Sequence, residues 1–122
     1  MSKNELINLN YITNRIRVGV TIIKEQLNSM NVANQELALD LLDYFVDNST
    51  ISFHTQIGSK DFIGKLVNLL KSRDAPQIQI KILKLIKKWG KYFEKNADIL
   101  PNFSITYQSM VNSGIDFPTD TK

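Results

Sequence analysis

A single histidine is the side chain of this sequence best suited to acid–base or metal chemistry. His54 lies in the stretch FHTQIGSKDFIGKL, residues 53–66, and the chain of 122 residues contains no cysteine and no second histidine. A catalytic histidine needs a nucleophile or an orienting carboxylate, and a metal site needs further ligands. The nearest carboxylates in sequence, Asp47 and Asp61, stand at no recognised spacing. We therefore predict a histidine that is packed or hydrogen-bonded beside Phe53, in a protein that is not an enzyme and uses no cofactor or metal.

A second candidate is an acidic helix face. In the run NQELALDLLDYFVDNS, Asp43 and Asp47 stand three and seven residues after Asp40, so the three share one side of a helix, with Tyr44 beside them. One interpretation is a solvated face that keeps the protein soluble. The other is the docking of a partner whose apolar patch is ringed by basic residues. Leu37 or Tyr44 would then supply apolar contact while the carboxylates steer the encounter.

A third candidate is a basic helix face. Lysines recur at three- and four-residue spacings between residues 81 and 95, with Lys87 at the margin. They are Lys81, Lys84, Lys88, Lys91 and Lys95. A solvated face is again one interpretation, and an anionic membrane surface is the main functional alternative, since each basic side chain near such a surface contributes on the order of 1 kcal/mol. RNA is a weaker alternative, because Trp89 and Phe93 should point inward and leave no platform on which bases could stack.

Composition describes a soluble protein of the size of one domain. Apolar residues make up 43% and charged residues 22% of the chain, which is ordinary for a globular protein. The net charge of +3 is unevenly distributed: residues 1–59 carry four basic and six acidic side chains, whereas residues 60–122 carry eleven basic and six acidic ones. No apolar stretch approaches the roughly 18 residues of a spanning helix. We expect a cytosolic or nuclear protein whose two halves face different partners.

Helical periodicity predicts the elements that position these residues. Predicted helices cover Ile16 to Leu27, the run NQELALDLLDYFVDNS, Ser59 as N-cap to about Ser72, Pro76 to about Lys95, and Pro101 to Gly114. A short segment around residues 53–57 connects the second of these helices to the third. In the second helix the apolar stripe is Ala38, Leu39, Leu42, Phe45 and Val46, with Leu37, Leu41 and Tyr44 on a flank. One side of the helix that begins at Pro76 is lined by Ile78, Ile82, Leu85, Ile86, Trp89 and Phe93. Six or so amphipathic helices with short links and no convincing strand predict an all-α domain. Several of them are apolar on more than one flank, which favours a small solenoid.

Two segments resemble a known family. The stretch FHTQIGSKDFIGKL resembles the segment that follows the fourth helix of VHS domains, where a Phe-His pair and a short linker lead into the next helix. At the far end, YQSMVNSGIDFP, residues 107–118, resembles the last helix and the Gly-apolar-x-Phe-Pro ending of the same family. The run ALDLLDYFVDN stands just before the first segment and KILKLIKKWGKYF stands between the two, both in the expected order. The resemblance covers about residues 5 to 118.

The resemblance implies a right-handed superhelix, an α-solenoid of the ENTH/VHS superfamily, that serves endosomal cargo sorting without catalytic activity. Aligned on GSKDF, Met1 falls inside the family's second helix. We therefore expect about six to seven helices, with the first helix of the pattern absent. The tryptophan that family members commonly place in the second helix has no counterpart, since Trp89 matches the core tryptophan instead. We expect a VHS-like domain over residues 1–118 and a disordered tail over residues 119–122.

The resemblance also implies partners. Many VHS domains bind ubiquitin through their second and fourth helices, so we expect weak binding of ubiquitin or ubiquitinated cargo. The residues predicted to do this are Leu37, Asp40, Asp43, Tyr44 and Asp47. The alternative is a module that binds anionic lipid or phosphoinositide through Lys81, Lys84, Lys88, Lys91 and Lys95. Either function would place the protein in the cytoplasm, peripherally on endosomal or Golgi membranes, and we do not expect it to bind nucleic acid.

A subset of the family recognises acidic-dileucine sorting signals between the sixth and eighth helices, and for this chain we expect no such specific binding. Gly64 offers no side chain one turn into the helix that begins SKDFIGKL, where an amide would help to fix the peptide. Ser109 stands where a larger apolar residue would line a pocket. Losing one buried apolar contact costs about 1 to 3 kcal/mol, a large share of the affinity of a weak peptide complex.

Overall fold

The structure, a computed structural model, describes residues 2–71 and 75–118, without the side chains of residues 5–13. Over these residues the chain forms six α-helices, one 3₁₀ helix and no strand. The helices are α1 (Lys3–Asn28), α2 (Val32–Asp47), α3 (Ile51–Ile57), α4 (Lys60–Leu69), α5 (Pro76–Tyr92) and α6 (Pro101–Asn112), with the 3₁₀ helix at Glu94–Asn96. The predicted all-α class is confirmed.

The chain divides into two compact units, Met1–Ile57 and Gly58–Lys122. The first unit contains α1 to α3, and the second contains α4 to α6. The predicted domain boundary at residue 118 stays a prediction. The predicted tail, residues 119–122, lies outside the described residues.

In the first unit, α1 packs against both α2 and α3. The buried residues come from one face of each helix: Val20, Ile23 and Leu27 of α1, Ala38, Leu39, Leu42 and Val46 of α2, and Phe53 and Ile57 of α3. Two sequence expectations need correction. The first helix begins at Lys3 rather than near Ile16, because neither proline nor glycine interrupts the chain before Gly19. Phe45, expected within the buried stripe of α2, keeps 38% of its surface exposed.

Polar side chains join α1 to α2. Asn31 is the N-cap of α2, and its Oδ1 accepts a hydrogen bond from the backbone N–H of Asn34 at 3.0 Å. Gln35 in the first turn of α2 donates through Nε2 to the carbonyl oxygens of Leu27, at 3.1 Å, and Ser29, at 2.8 Å. These bonds satisfy backbone groups that helix ends leave without an intrahelical partner. The start of α2 is therefore fixed to the end of α1.

In the second unit, the predicted helix starts are confirmed. The Oγ of Ser59 accepts from the backbone N–H of Phe62 at 3.1 Å, which caps α4, and prolines open α5 and α6. The apolar side predicted for the long helix is buried in full: Ile78, Ile82, Leu85, Ile86, Trp89 and Phe93. However, α5 ends at Tyr92, because the chain tightens into the 3₁₀ helix before it turns back to begin α6. Lys95 therefore does not lie on the long helix as predicted.

An aromatic cluster joins α5 to α6. The ring of Phe103 lies 4.3 Å from that of Phe93, stacked, and 5.6 Å from that of Trp89, edge to face. The two helices approach closely at Gly90, where an added Cβ would lie 2.5 Å from the Cβ of Tyr107. At the end of α6 the predicted C-cap is confirmed, since Gly114 has a φ of 81° and the N–H of Ile115 donates to the carbonyl of Met110 at 3.1 Å.

The two helical glycines of the second unit should respond oppositely to alanine. Gly90→Ala should lower the free energy of unfolding by about 1–3 kcal/mol, because the added methyl group overlaps the Tyr107 side chain. Gly64→Ala is the matched control: its Cβ would meet nothing within 4 Å, so it should raise stability by up to about 1 kcal/mol through helix propensity. Urea unfolding followed by circular dichroism measures both. A Gly90→Ala variant as stable as the parent would contradict the close packing of α5 on α6.

Candidate functional site

The five residues predicted to bind ubiquitin all lie on α2. Leu37 and Tyr44 are exposed over 60% and 61% of their surface, Asp40 and Asp47 are exposed, and Asp43 is half-buried. They share one side of the helix because the opposite side, centred on Leu42, is buried against α1. The structure therefore brings together the apolar and acidic side chains that the sequence singled out.

Leu41 extends this surface and is not among the residues predicted from the sequence to bind ubiquitin. It is 41% exposed and stands four residues after Leu37 and three before Tyr44, so the three form one exposed apolar stripe. The sequence does contain a signal for this exposed stripe, since Leu37, Leu41 and Tyr44 all flank the buried stripe of α2. We call these three residues, with Asp40, Asp43 and Asp47, the α2 face.

All charged side chains of helix α2 are acidic. The helix contains Glu36 and the three aspartates of the face, and it contains no basic residue. Asp40, Asp43 and Asp47 each interact with other groups of the chain. A basic partner would therefore meet acidic groups that already interact within their own chain, on a helix that carries no basic residue.

A groove beside the α2 face was not predicted. It has a volume of about 400 Å³ and lies between α1, α2 and α3. Arg15 and Ser49 are the polar residues of its lining. The remaining lining residues are Ile16, Gly19, Ile22, Ile23, Leu41, Phe45 and Phe53. The helical period places Phe45 within the buried stripe and so does not predict a groove there, whereas in the structure Phe45 lies at the edge of that stripe.

The basic residues predicted to bind lipid lie mostly on α5. Lys84 and Lys91 are exposed, Lys81 and Lys88 are half-buried, and Lys95 lies apart in the 3₁₀ helix. Lys87, at the margin, approaches the carbonyl oxygen of Pro118 at 3.5 Å. The helix contains five lysines and no acidic residue. The four predicted lysines that lie on α5 therefore form a basic side opposite the buried one.

Two apolar side chains on this basic side were missed by the sequence analysis. Ile80 is 46% exposed and Tyr92 is 54% exposed, and both lie within one helical turn of Lys84 or Lys88. Trp89 and Phe93 are buried, as predicted. Tyr92 is thus the aromatic ring that α5 presents beside its lysines, and one ring does not form a platform for successive bases. We call Ile80, Lys81, Lys84, Lys88, Lys91 and Tyr92 the α5 face.

A second groove, of about 350 Å³, lies between α4 and α6. Lys60, Ile63, Gly64 and Ile105 are among its lining residues. Gly64 contributes no side chain there, and Ser109 is exposed on the far part of α6. The expected absence of specific acidic-dileucine binding stays a prediction.

A model of the VHS domain family matches residues 2–114 of the chain. The chain belongs to the VHS domain family. The family's fold is an all-α superhelix, in agreement with the fold class predicted from the sequence. Among the described residues, no helix is both long enough and apolar enough to cross a membrane.

Several curated proteins are similar to this VHS domain. TOM1-like protein 8 of Arabidopsis thaliana is 34% identical over 110 residues, which cover 90% of this chain and 18% of that protein. Vacuolar protein sorting-associated protein 27 of Neurospora crassa is 32% identical over 100 residues, covering 79% and 14%. TOM1-like protein 2 of Homo sapiens is 30% identical over 104 residues, covering 82% and 20%. The chain thus spans no more than about a fifth of the length of these relatives, and the name of the Neurospora protein links that relative to vacuolar protein sorting.

The histidine of this VHS domain has a structural role. His54 is buried, and its Nε2 donates a hydrogen bond of 2.9 Å to the carbonyl oxygen of Val46 in the last turn of α2. Asn48 serves the same helix end, because its Nδ2 donates to the carbonyl oxygen of Tyr44 at 2.8 Å. The prediction of a histidine that is packed or hydrogen-bonded is confirmed, since His54 is both. Within the described residues, no group of three or more His, Asp or Glu side chains is placed to hold a metal ion.

Removing this histidine should destabilise the domain. His54→Ala should lower the free energy of unfolding by about 1–3 kcal/mol, because the buried Val46 carbonyl loses its side-chain donor. The control is Thr55→Ala on the exposed side of α3, which should change stability by about 0.5 kcal/mol or less. Urea denaturation measures both variants. Equal stability of the His54→Ala variant and the parent would contradict the structural role.

Proposed function

We propose that this VHS domain is a non-enzymatic adaptor module in endosomal or vesicular protein sorting. We further propose that it binds ubiquitin or ubiquitinated cargo weakly through the α2 face. Membership in the family and the name of the Neurospora relative support the sorting role. The non-enzymatic part is supported by His54, whose Nε2 is engaged in the core of the first unit. Such a module would act in the cytoplasm, peripherally on endosomal or Golgi membranes.

One observation carries the choice of partner surface: α2 exposes an apolar stripe flanked by carboxylates. Leu37 and Tyr44 are more than half exposed on a helix without basic residues. An apolar patch ringed by basic residues, as on ubiquitin, is complementary to this arrangement in both polarity and charge. The apolar contact would supply the binding free energy, and the aspartates would favour encounter in the correct orientation.

The expected affinity is low. The only tryptophan of the chain, Trp89, is buried in the second unit and cannot serve as the exposed aromatic anchor that interfaces favour. One helix face is also small beside the roughly 1,200–2,000 Å² buried in stable protein–protein interfaces. We expect a dissociation constant of roughly hundreds of micromolar or weaker.

Charge reversal on the α2 face should weaken ubiquitin binding. In a titration of isotopically labelled ubiquitin followed by chemical-shift changes, Asp43→Lys/Asp47→Lys should bind about tenfold more weakly than the parent. The control, Asp98→Lys/Asp116→Lys, makes the same change in net charge at exposed aspartates of the second unit and should bind like the parent. No chemical-shift change with the parent at about 1 mM would remove ubiquitin as the partner.

Substituting two exposed tyrosines tests the same surface in the ubiquitin titration without changing any charge. Tyr44→Ala removes apolar area from the α2 face, whereas Tyr92→Ala removes the same side chain from α5 at a similar exposure. Only the first change should weaken binding. If both variants lost ubiquitin affinity equally, the contact would not be specific to α2, which would contradict the proposed surface.

A second candidate function is binding to an anionic lipid or phosphoinositide surface through the α5 face and Lys95. The specific observation in its favour is the exposure of Ile80 and Tyr92 beside the lysines. Basic groups approach an anionic surface through long-range attraction, while apolar and amphipathic side chains penetrate its interfacial region. A purely solvated charged face would not need either apolar side chain.

The lipid function predicts salt-sensitive binding to anionic vesicles. The chain should co-sediment with vesicles that contain phosphatidylserine or phosphoinositide and dissociate as salt rises, since exposed charges are screened beyond roughly 10 Å at about 0.1 M salt. Lys84→Glu/Lys91→Glu should abolish the binding, and the control Lys60→Glu/Lys71→Glu, at exposed lysines outside α5, should retain it. Equal partition onto neutral and anionic vesicles would contradict this function.

A further inference from the structure

All charged side chains of α2 are acidic, and all charged side chains of α5 are basic. The sequence of α2 contains four acidic residues and no basic one, and that of α5 contains five lysines and no acidic residue. Asp40 and Asp47 at one surface and Lys84 and Lys91 at the other are exposed. Several of the aspartates and lysines also interact within their own chain, so the complementarity lies between the net charges of the two helices.

The spacing of these charges also matches when the two helices run in opposite directions. Read forward, the aspartates of α2 follow one another by three and then four residues, at positions 40, 43 and 47. Read backward, the lysines of α5 follow one another by three and then four residues, at positions 91, 88 and 84. Because both segments are α-helical with the same rise per residue, antiparallel alignment places each aspartate opposite one lysine.

Both surfaces also expose apolar side chains that a partner could cover. Leu37, Leu41 and Tyr44 lie on the α2 face, and Ile80 and Tyr92 lie on the α5 face, all more than two-fifths exposed. Charge complementarity alone steers an encounter but contributes little once exposed pairs are formed. Apolar area within the same contact supplies the part of the binding free energy that salt does not screen.

We propose that a second copy of this chain also docks on these faces, in competition with the partners proposed above: the α2 face of one copy docks antiparallel on the α5 face of another, with Asp40 opposite Lys91 and Asp47 opposite Lys84. This contact joins two different surfaces, so every copy carries both halves of it. It does not depend on binding of ubiquitin or lipid. Exposed ion pairs are individually weak and screened by salt, so self-association is expected at high protein concentration and low salt.

Charge-reversed variants and their mixture test this contact. One variant, Asp40→Lys/Asp47→Lys, makes the α2 face basic, and the other, Lys84→Glu/Lys91→Glu, makes the α5 face acidic. Each variant alone opposes like charges across the contact. In an equimolar mixture, the unchanged α5 face of the first variant meets the unchanged α2 face of the second. Sedimentation velocity at about 10 mM salt, where the Debye length is roughly 30 Å, measures the association, with circular dichroism as the check on folding.

The parent, the two variants, their mixture and the controls each have an expected result. The parent chain self-associates with an apparent dissociation constant below about 1 mM, and raising the salt to about 0.1 M weakens it roughly tenfold. Each variant alone is monomeric. The mixture forms hetero-oligomers, because its two substituted faces are complementary to each other as well as its two unchanged ones. A chain that carries all four substitutions regains self-association. The controls Asp98→Lys/Asp116→Lys and Lys60→Glu/Lys71→Glu make matched changes in net charge at other exposed positions and self-associate like the parent.

Three results would overturn the contact. The first is a parent chain that stays monomeric at about 1 mM protein and low salt. The second is a mixture of folded variants that shows no hetero-association. The third is a pair of controls that lose association as fully as the test variants do. A monomeric parent that co-sediments with anionic vesicles would assign the α5 face to a membrane instead. Ubiquitin is absent from every arm, so failure of this contact is separable from failure of the proposed function.

Discussion

Every helix of this chain has to remove one apolar face from water, and that requirement determines which charged face remains outside. In α2 the buried side is centred on Leu42, which leaves the aspartates and Tyr44 at the surface. In α5 the buried side runs from Ile78 to Trp89, which leaves the lysines at the surface. The placement of opposite charges on two helices is thus a consequence of core formation. The binding properties proposed for the domain follow from that placement.

The two charged helices are held by different kinds of contact. The ends of α2 are fixed by hydrogen bonds, from Gln35 to the end of α1 and from His54 to the carbonyl of Val46. In contrast, α5 is held by aromatic packing and by the close approach of Gly90 to Tyr107. A binding surface on a helix whose ends are fixed loses less conformational freedom when a partner docks. The single histidine therefore contributes to function indirectly, by positioning the helix that carries the α2 face.

The starts of α4, α5 and α6 and the glycine that ends α6 were predictable from the sequence because those features have local causes. A serine before a polar first turn, prolines at helix starts and a glycine after the last turn each act within four residues of the position they determine. The buried centre of each helix followed from the 3.6-residue period. His54 was predicted to be packed or hydrogen-bonded because the sequence offers no cysteine, no second histidine and no carboxylate at a recognised spacing for catalysis or metal binding.

The edges of the helical faces could not be predicted in the same way. Whether Phe45, Ile80 or Tyr92 is covered depends on which neighbouring helix reaches that flank, and periodicity carries no information about neighbours. The early end of α5, which separates Lys95 from the other lysines, depends on where the chain has to turn to begin α6. Leu41 entered the candidate site for the same reason, since its exposure is set by packing rather than by its type.

The central claim is that the α2 face is a protein-docking surface, and chemical-shift mapping on the labelled domain tests it most directly. Backbone amides of the domain are assigned, and unlabelled ubiquitin is added to about 1 mM. The predicted result is a set of concentration-dependent shifts that is largest at Leu37, Leu41 and Tyr44 and the aspartates between and beside them, with α5 and α6 unchanged. Shifts confined to α5 and α6, or no shift at all at this concentration, would contradict the claim.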